Sequence, residues 1–243
     1  MYGWRGKIGF ISPIVAETSI RAFYEMLPEG VAIVLTCLSI QDFDKDEFKS
    51  SKAMIDRAAE DLARAKVDCL IVGGAPLVWA LDGYGSDKAI VDRIEEKWHI
   101  PTTTAQTAQV EALKAMGVGK IVLCAPPAAH LQLKKKEFIE KSGLQVLATK
   151  GLNLTNNVDV AKQPPFVAYQ LAREAYLEAP EADGILLACS QWRNIEYIQK
   201  LEADLGVTVV ASNQAMIWWG LKSLGIRDRI TGYGRLLASL SEG

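Results

Sequence analysis

Short apolar runs alternate along the chain with longer segments in which apolar positions recur every three or four residues. An apolar run without polar alternation reads as a parallel strand buried on both faces, and the longer pattern reads as a helix with one face in the core. The strands so predicted in the first half are Lys7 to Ser12, Val31 to Leu38, Cys69 to Gly73 and Ile100 to Thr104. Helices fill the intervals at Ser19 to Met26, Lys45 to Lys66 and Ser86 to Trp98, with a further helix ending at Met116-Gly117. In Lys45 to Lys66 the apolar face is Phe48, Met54, Ile55, Ala58, Ala59 and Leu62. Leu27-Pro28-Glu29-Gly30 punctuates the chain between helix and strand. Strand and helix in regular alternation imply an α/β fold, with a parallel sheet covered by helices on both faces.

The pattern then restarts. Lys7-Ile-Gly-Phe-Ile-Ser-Pro13 matches Lys120-Ile-Val-Leu-Cys-Ala-Pro126, and Asp68 through Gly74 matches Asp183 through Cys189. Thr104-Ala-Gln106 with Ala112 to Gly117 matches Ser212-Asn-Gln214 with Gly220 to Gly225. Three ordered matches at similar offsets indicate an internal duplication. The expected architecture is two similar parallel-sheet (βα) units related by a pseudo-twofold, with an active-site cleft between them. The boundaries read as 1–115 plus about 216–243 for the first unit and 116–215 for the second. Gly74 and Gln106 are 32 positions apart and Cys189 and Gln214 are 25 apart, so the first unit carries seven extra residues. These fall within Ala80-Leu-Asp-Gly-Tyr-Gly-Ser86, a lid or a plain surface loop.

Composition narrows the class without naming a function. The 243 residues are 49% hydrophobic and 23% charged with a formal net charge of −2, as in a globular protein with a large core. The one basic run, Lys134-Lys135-Lys136, reads as a solvated helix face, so no nucleic-acid partner is expected. No apolar run approaches the roughly 18–20 residues of a membrane span, and Met1 to Lys7 lacks the apolar core of a signal peptide. A cytoplasmic protein is expected. The four cysteines at 37, 69, 124 and 189 show no metal-type spacing, which predicts reduced thiols. With only His99 and His130 available, neither a metal site nor a histidine triad is expected.

Chemistry in an open α/β sheet gathers at the carboxyl ends of the strands. There the candidate cleft is lined by Ser12-Pro13, Gly73-Gly74-Ala75-Pro76, Ala125-Pro126-Pro127, Cys189-Ser190-Gln191 and Ser212-Asn213-Gln214. Asp183-Gly-Ile-Leu-Leu-Ala-Cys189 ends abruptly in a thiol, whereas the matching stretch of the first unit ends in Gly74. Ser190 can cap the next helix, which would set the amides around Cys189, Ser190 and Gln191 at a helix N-terminus. That setting lowers a thiol pKa and favours a carboxylate. Such a thiol can accept or deliver a proton at a carbon beside a carboxylate. Cys37, Cys69 and Cys124 lie inside apolar strands and read as core residues. His130 and Arg193 read as surface residues or weaker cleft candidates, and Trp218-Trp219 as packing residues.

These residues resemble the aspartate/glutamate racemase superfamily over nearly the whole chain, in its maleate cis-trans isomerase and arylmalonate decarboxylase branch. The resemblance lies in Phe23 to Gly30, Cys189-Ser-Gln-Trp-Arg-Asn-Ile-Glu, Leu205 to Ala215 and Gly232-Tyr-Gly-Arg-Leu236. It implies a pair of cysteines in the racemases and isomerases, one from each unit, and a single cysteine in the decarboxylases. This chain has the one-cysteine pattern: Cys189 is present and Gly74 takes the other place. The resemblance also implies carboxylate-binding hydroxyls at positions that are here Ala75, Pro76 and Pro127, and an asparagine near Ala16. All of these groups are missing. Asn157 in Leu154-Thr-Asn-Asn-Val-Asp159 matches a substrate-binding loop of the family.

The expected function is a cofactor-free decarboxylase of a malonate-like or related carboxylic acid. Cys189 protonates the enediolate, and Pro13, Gly74, Ala75, Asn157, Ser190, Gln191 and Asn213 surround the substrate. One proton donor gives one product configuration, whereas racemisation by the usual two-base route needs two. A maleate-type isomerase or an amino-acid or hydroxy-acid racemase is the enzyme alternative, and an inactive carboxylate-binding protein is the non-enzyme one. The partner is a small carboxylic acid; a homo-oligomer is open.

Overall fold

The computed structural model describes residues 2–14, 17–40, 42, 44–74 and 82–242. Its strands are β1 (Gly6–Ser12), β2 (Val31–Cys37), β3 (Cys69–Val72), β4 (Thr102–Thr104), β5 (Lys120–Pro127), β6 (Gln145–Leu154), β7 (Gly184–Leu187) and β8 (Thr208–Ala211). They form two four-stranded sheets ordered β2-β1-β3-β4 and β6-β5-β7-β8, and every pairing is parallel. The second order is the first advanced by four strands, so the expected pair of α/β units is the observed architecture.

The repeat holds down to single hydrogen bonds. Asp68 accepts from the Lys7 amide at 2.7 Å and its own amide donates to the Lys7 carbonyl at 2.8 Å. Asp183 does the same for Lys120, at 2.8 Å and 2.9 Å. The carboxylate thus pins the start of the central strand in each unit. At the other end, the Gly73 amide reaches the Ile11 carbonyl and the Ala188 amide reaches the Cys124 carbonyl, both at 2.8 Å. The central strands are apolar on both faces because helices cover both: Ile8, Phe10, Leu70, Ile71, Ile121, Leu123, Ile185 and Leu186 have no exposed surface. Each such side chain contributes about 1.5–3 kcal/mol.

Two local expectations change. Pairing in β4 begins at Thr102, not Ile100, because Pro101 has no amide hydrogen; its carbonyl still accepts from Leu70 at 2.9 Å. In the helix Lys45–Arg64, Met54 is exposed and Ser51 is buried instead, its hydroxyl donating to the Leu38 carbonyl at 3.2 Å. Asp44 caps this helix, accepting from the Asp46 and Glu47 amides at 2.9 Å each.

The helices Ala105–Ala115 and Ser212–Ser223, equivalents in the two units, pack against each other. The second of them also lies on β3 and on the helix Glu17–Met26, with Cys69 Sγ 3.9 Å from the Gly220 carbonyl. A Cβ at Gly220 would come within 2.7 Å of Ile8 Cδ1, so glycine permits the close approach. We propose the division 1–115 plus about 216–243 and 116–215 on the strength of this docking. The short helix Arg235–Ala238 turns back to touch β8. No helix among the described residues is long and apolar enough to cross a membrane.

Candidate active site

Beyond β3 and β7 the chain turns sharply, at Gly73-Gly74 in one unit and at Ala188-Cys189 in the other. Gly74 has φ +83° and Cys189 has φ +126°. Glycine takes a positive φ freely, whereas a cysteine there carries strain of the order of 1–3 kcal/mol. The surroundings hold Cys189 in place. Its amide donates to Ser212 Oγ at 2.9 Å and its carbonyl accepts from the Trp192 amide at 3.3 Å. The Ser190 carbonyl accepts from Asn213 Nδ2 at 2.9 Å and from Ser19 Oγ of the first unit at 3.1 Å.

Ser190 does not cap a helix, contrary to the sequence reading. Residues 190–194 form a turn, and regular helix starts only with the 3-10 segment Ile195–Tyr197 and the helix Ile198–Leu205. The turn nevertheless directs two amides, those of Gln191 and Trp192, at the Cys189 sulfur. The expected lowering of the thiol pKa is also corrected. Burial pushes the Cys189 thiol above its ordinary range and outweighs the amides and Lys135, which pull it down. Cys69 and Cys124 are core thiols pushed up to about 12, chiefly by burial.

Cys189 opens onto a cavity of about 770 Å³, the open space at its mouth included. Of the residues expected at the site, Pro13, Gly74, Asn157, Ser190, Gln191 and Cys189 line it. Asn213 does not; it is buried behind Ser190 and serves as a donor to that carbonyl. Ala75 lies outside the described residues, as do Pro76, Ala16 and the start of the insertion, Ala80-Leu81. In the rest of the insertion, Tyr84 packs on Phe138 of the second unit with ring centroids 5.4 Å apart. Ile14, Ile40, Phe48 and Leu131 give the cavity an apolar side. His130 is exposed, and Arg193 pairs with Glu196 at 2.9 Å.

The residue missed by the sequence reading is Lys135. It is not part of a solvated face: it is 7% exposed and lines the cavity. Its Nζ donates to Gln106 Oε1 at 2.9 Å and to Gln109 Oε1 at 2.6 Å. Burial pushes its pKa down to about 7, while Cys189 acts in the opposite direction. A signal was available. In the helix Ala129–Lys141, Lys135 lies four residues after Leu131 and three and four before Phe138 and Ile139, all buried. Helical spacing places it on their face, whereas Lys134 is exposed and Lys136 pairs with Glu140 at 3.7 Å.

Two equivalent βα units thus meet at a cleft with one thiol at a strand end. The chain belongs to the arylmalonate decarboxylase family, whose profile matches residues 8–237. It is similar to the maleate isomerase of Geobacillus stearothermophilus, 26% identical over 246 residues that cover 96% of this chain and 97% of that one. It is 28% identical to the arylmalonate decarboxylase of Bordetella bronchiseptica over 155 residues, 63% of this chain and 65% of that one. The fold is that of the crystal structure of the maleate isomerase Iso from Pseudomonas putida S16, with a TM-score of 0.90, 20% identity and coverage of 97% and 99%. The named relatives are thus enzymes of two kinds, isomerases and decarboxylases.

Proposed function

We propose that the protein is a cofactor-free carboxy-lyase acting on a malonate-like carboxylic acid, with Cys189 as the only thiol proton donor. The observation that carries this reading is the pairing of Cys189 with a glycine, Gly74, at the equivalent turn of the other unit. Loss of CO2 leaves the bonding electrons on the substrate carbon as an enediolate. The Cys189 S–H then delivers its proton to that carbon, and the thiolate is held by the amides of Gln191 and Trp192 until water restores the proton. Burial supports this role, because a thiol kept protonated is an acid and not a nucleophile. The apolar side of the cavity, Ile14, Ile40, Phe48 and Leu131, supports release of CO2 by withholding water from a carboxylate. Four free thiols support a reducing, cytoplasmic setting.

A maleate-type isomerase is the second reading, favoured by the near-full-length match to a maleate isomerase. Incubation with phenylmalonate and methylphenylmalonate in deuterated water separates the two. The expected result is CO2 release with deuterium added to one face of the product. Conversion of maleate to fumarate without CO2 release from either malonate would overturn the carboxy-lyase reading. The Gly74→Cys variant gives a second check. Both positions have a positive φ, +83° at 74 and +126° at 189, and at 189 a cysteine already tolerates it. The expected outcome is slow racemisation of an optically active 2-arylpropionate by the variant and none by the parent, read as loss of optical rotation.

A further inference from the structure

Lys135 is a buried cation without a counter-charge of ordinary kind. Its two acceptors, Gln106 Oε1 and Gln109 Oε1, are neutral amide oxygens. Among the described residues no carboxylate pairs with it, and it is the only Lys, Arg or His that lines the cavity. A buried ammonium held only by dipoles is costly to retain. The two glutamines come from the helix Ala105–Ala115 of the first unit, while Lys135 comes from the second, so the cation is fixed across the cleft. Gln106 Nε2 has no partner among the described residues, and the contact with Lys135 orients that amide. Gln109 extends the arrangement toward the thiol. Its Nε2 donates to Ser212 Oγ at 2.9 Å, and that oxygen accepts from the Cys189 amide at 2.9 Å. An ammonium has three donors, and two are engaged by the glutamines. The lining also holds neutral polar side chains, Gln132, Asn157, Ser190, Gln191 and Ser212, but among its described residues no second cation.

We propose that Lys135 binds a carboxylate of the ligand in this cavity, with Gln106 and Gln109 fixing its ammonium beside Cys189. The inference rests on the reading that the cavity takes a carboxylic acid, but not on which reaction follows. It assigns the site an ion pair as its anchor, so the bound molecule carries an ionised carboxylate within reach of both Nζ and the sulfur. A neutral ester or amide of the same shape loses that anchor.

Alkylation of Cys189 tests this without knowledge of the substrate. Iodoacetate and iodoacetamide both react by thiolate displacement of iodide, forming a C–S bond as the C–I bond breaks. They differ in bearing a carboxylate or a carboxamide. Rates at Cys189 and Cys37 are measured by peptide mass spectrometry on the full chain at neutral pH. Any change in thiolate population alters both reagents equally and cancels in the ratio of their rates. The iodoacetate-to-iodoacetamide ratio is expected to be about tenfold or more higher at Cys189 than at the half-buried Cys37. In Lys135→Met and in Lys135→Gln, which keeps a donor for the neighbouring amides, the ratio at Cys189 should fall to that of Cys37. A ratio unchanged by either substitution in a protein that still melts cooperatively would overturn the proposal. So would a native Cys189 that does not favour iodoacetate, or one that neither reagent reaches. Failure of the malonates to release CO2 would leave these ratios as they are, so the two readings fail separately.

Discussion

Replacement of Cys189 by alanine is expected to lower kcat by about 10²–10⁴-fold, the usual contribution of a positioned proton donor. The affinity for a non-reacting arylacetate should stay within a few-fold, since the cavity walls, Lys135 and the amides of Gln191 and Trp192 remain. Turnover by stopped-time CO2 release and affinity by calorimetric titration separate the two effects, and an unchanged rate would remove Cys189 from the mechanism. Alanine retains the positive φ of position 189, so it leaves the backbone strain in place. Glycine does not. Cys189→Gly should therefore be as inactive as Cys189→Ala but more stable by about 1 kcal/mol, the release of part of the strain. An inactive variant that melts higher than the parent identifies position 189 as one where stability has been given up for chemistry.

Lys135 adds a pH signature of its own. Its folded pKa of about 7 lies below the ordinary lysine value. Between those two values the unfolded chain binds the proton and the folded protein does not, so the contribution of this group to stability rises with pH. Below about pH 7 both states are protonated and the full desolvation penalty applies. The stability of the parent relative to Lys135→Met should therefore increase from about pH 7 toward lysine's ordinary range. A flat difference in urea midpoints across that interval would contradict the burial of the charge.

The fold was legible because its signals were redundant. Asp68 and Asp183 head matching apolar runs and pin matching strands, so either half predicts the other. The thiol was legible for a related reason: Gly74 and Cys189 occupy one structural position, and their difference stands out only against the repeat. Lys135 was obscured by its neighbours. Three consecutive lysines invite a compositional reading, whereas a helix turns each by about 100° and sends them to different surroundings. The cap assigned to Ser190 failed because a small polar residue after a strand suits a turn as well as a helix start. The sign of the thiol shift depends on how far protein surrounds the sulfur, and burial of that kind comes from residues distant in sequence, such as those of the helix Ser212–Ser223. Met54 lies one helical turn after Ser51, and the small hydroxyl, not the long apolar side chain, faces the core there because it reaches the Leu38 carbonyl.

Trp192→Ala should be the most destabilising single change near the site. Trp192 has no exposed surface and is among the largest fully buried side chains, in one core cluster with Ile195, Ile198 and Leu201. Truncation of such a side chain removes its transfer free energy and leaves a cavity, together about 3–5 kcal/mol. For a chain of this size that lowers Tm by roughly 6–20 °C. The damage should also reach the chemistry. The Trp192 amide faces the Cys189 sulfur, and the same amide donates to the Cys189 carbonyl at 3.3 Å, so a collapse of the indole pocket moves the turn that holds the thiolate. Trp192→Phe distinguishes volume from polarity. The indole Nε1 is buried without a partner among the described residues, so losing that donor removes a desolvation penalty that offsets part of the lost volume. Phenylalanine is therefore expected within about 1.5 kcal/mol of the parent, near the range of volume-conserving core changes, and with kcat largely retained. If alanine and phenylalanine were equally damaging, the indole N–H and not its bulk would be holding the turn, and a hydrogen-bond acceptor for Nε1 would have to exist.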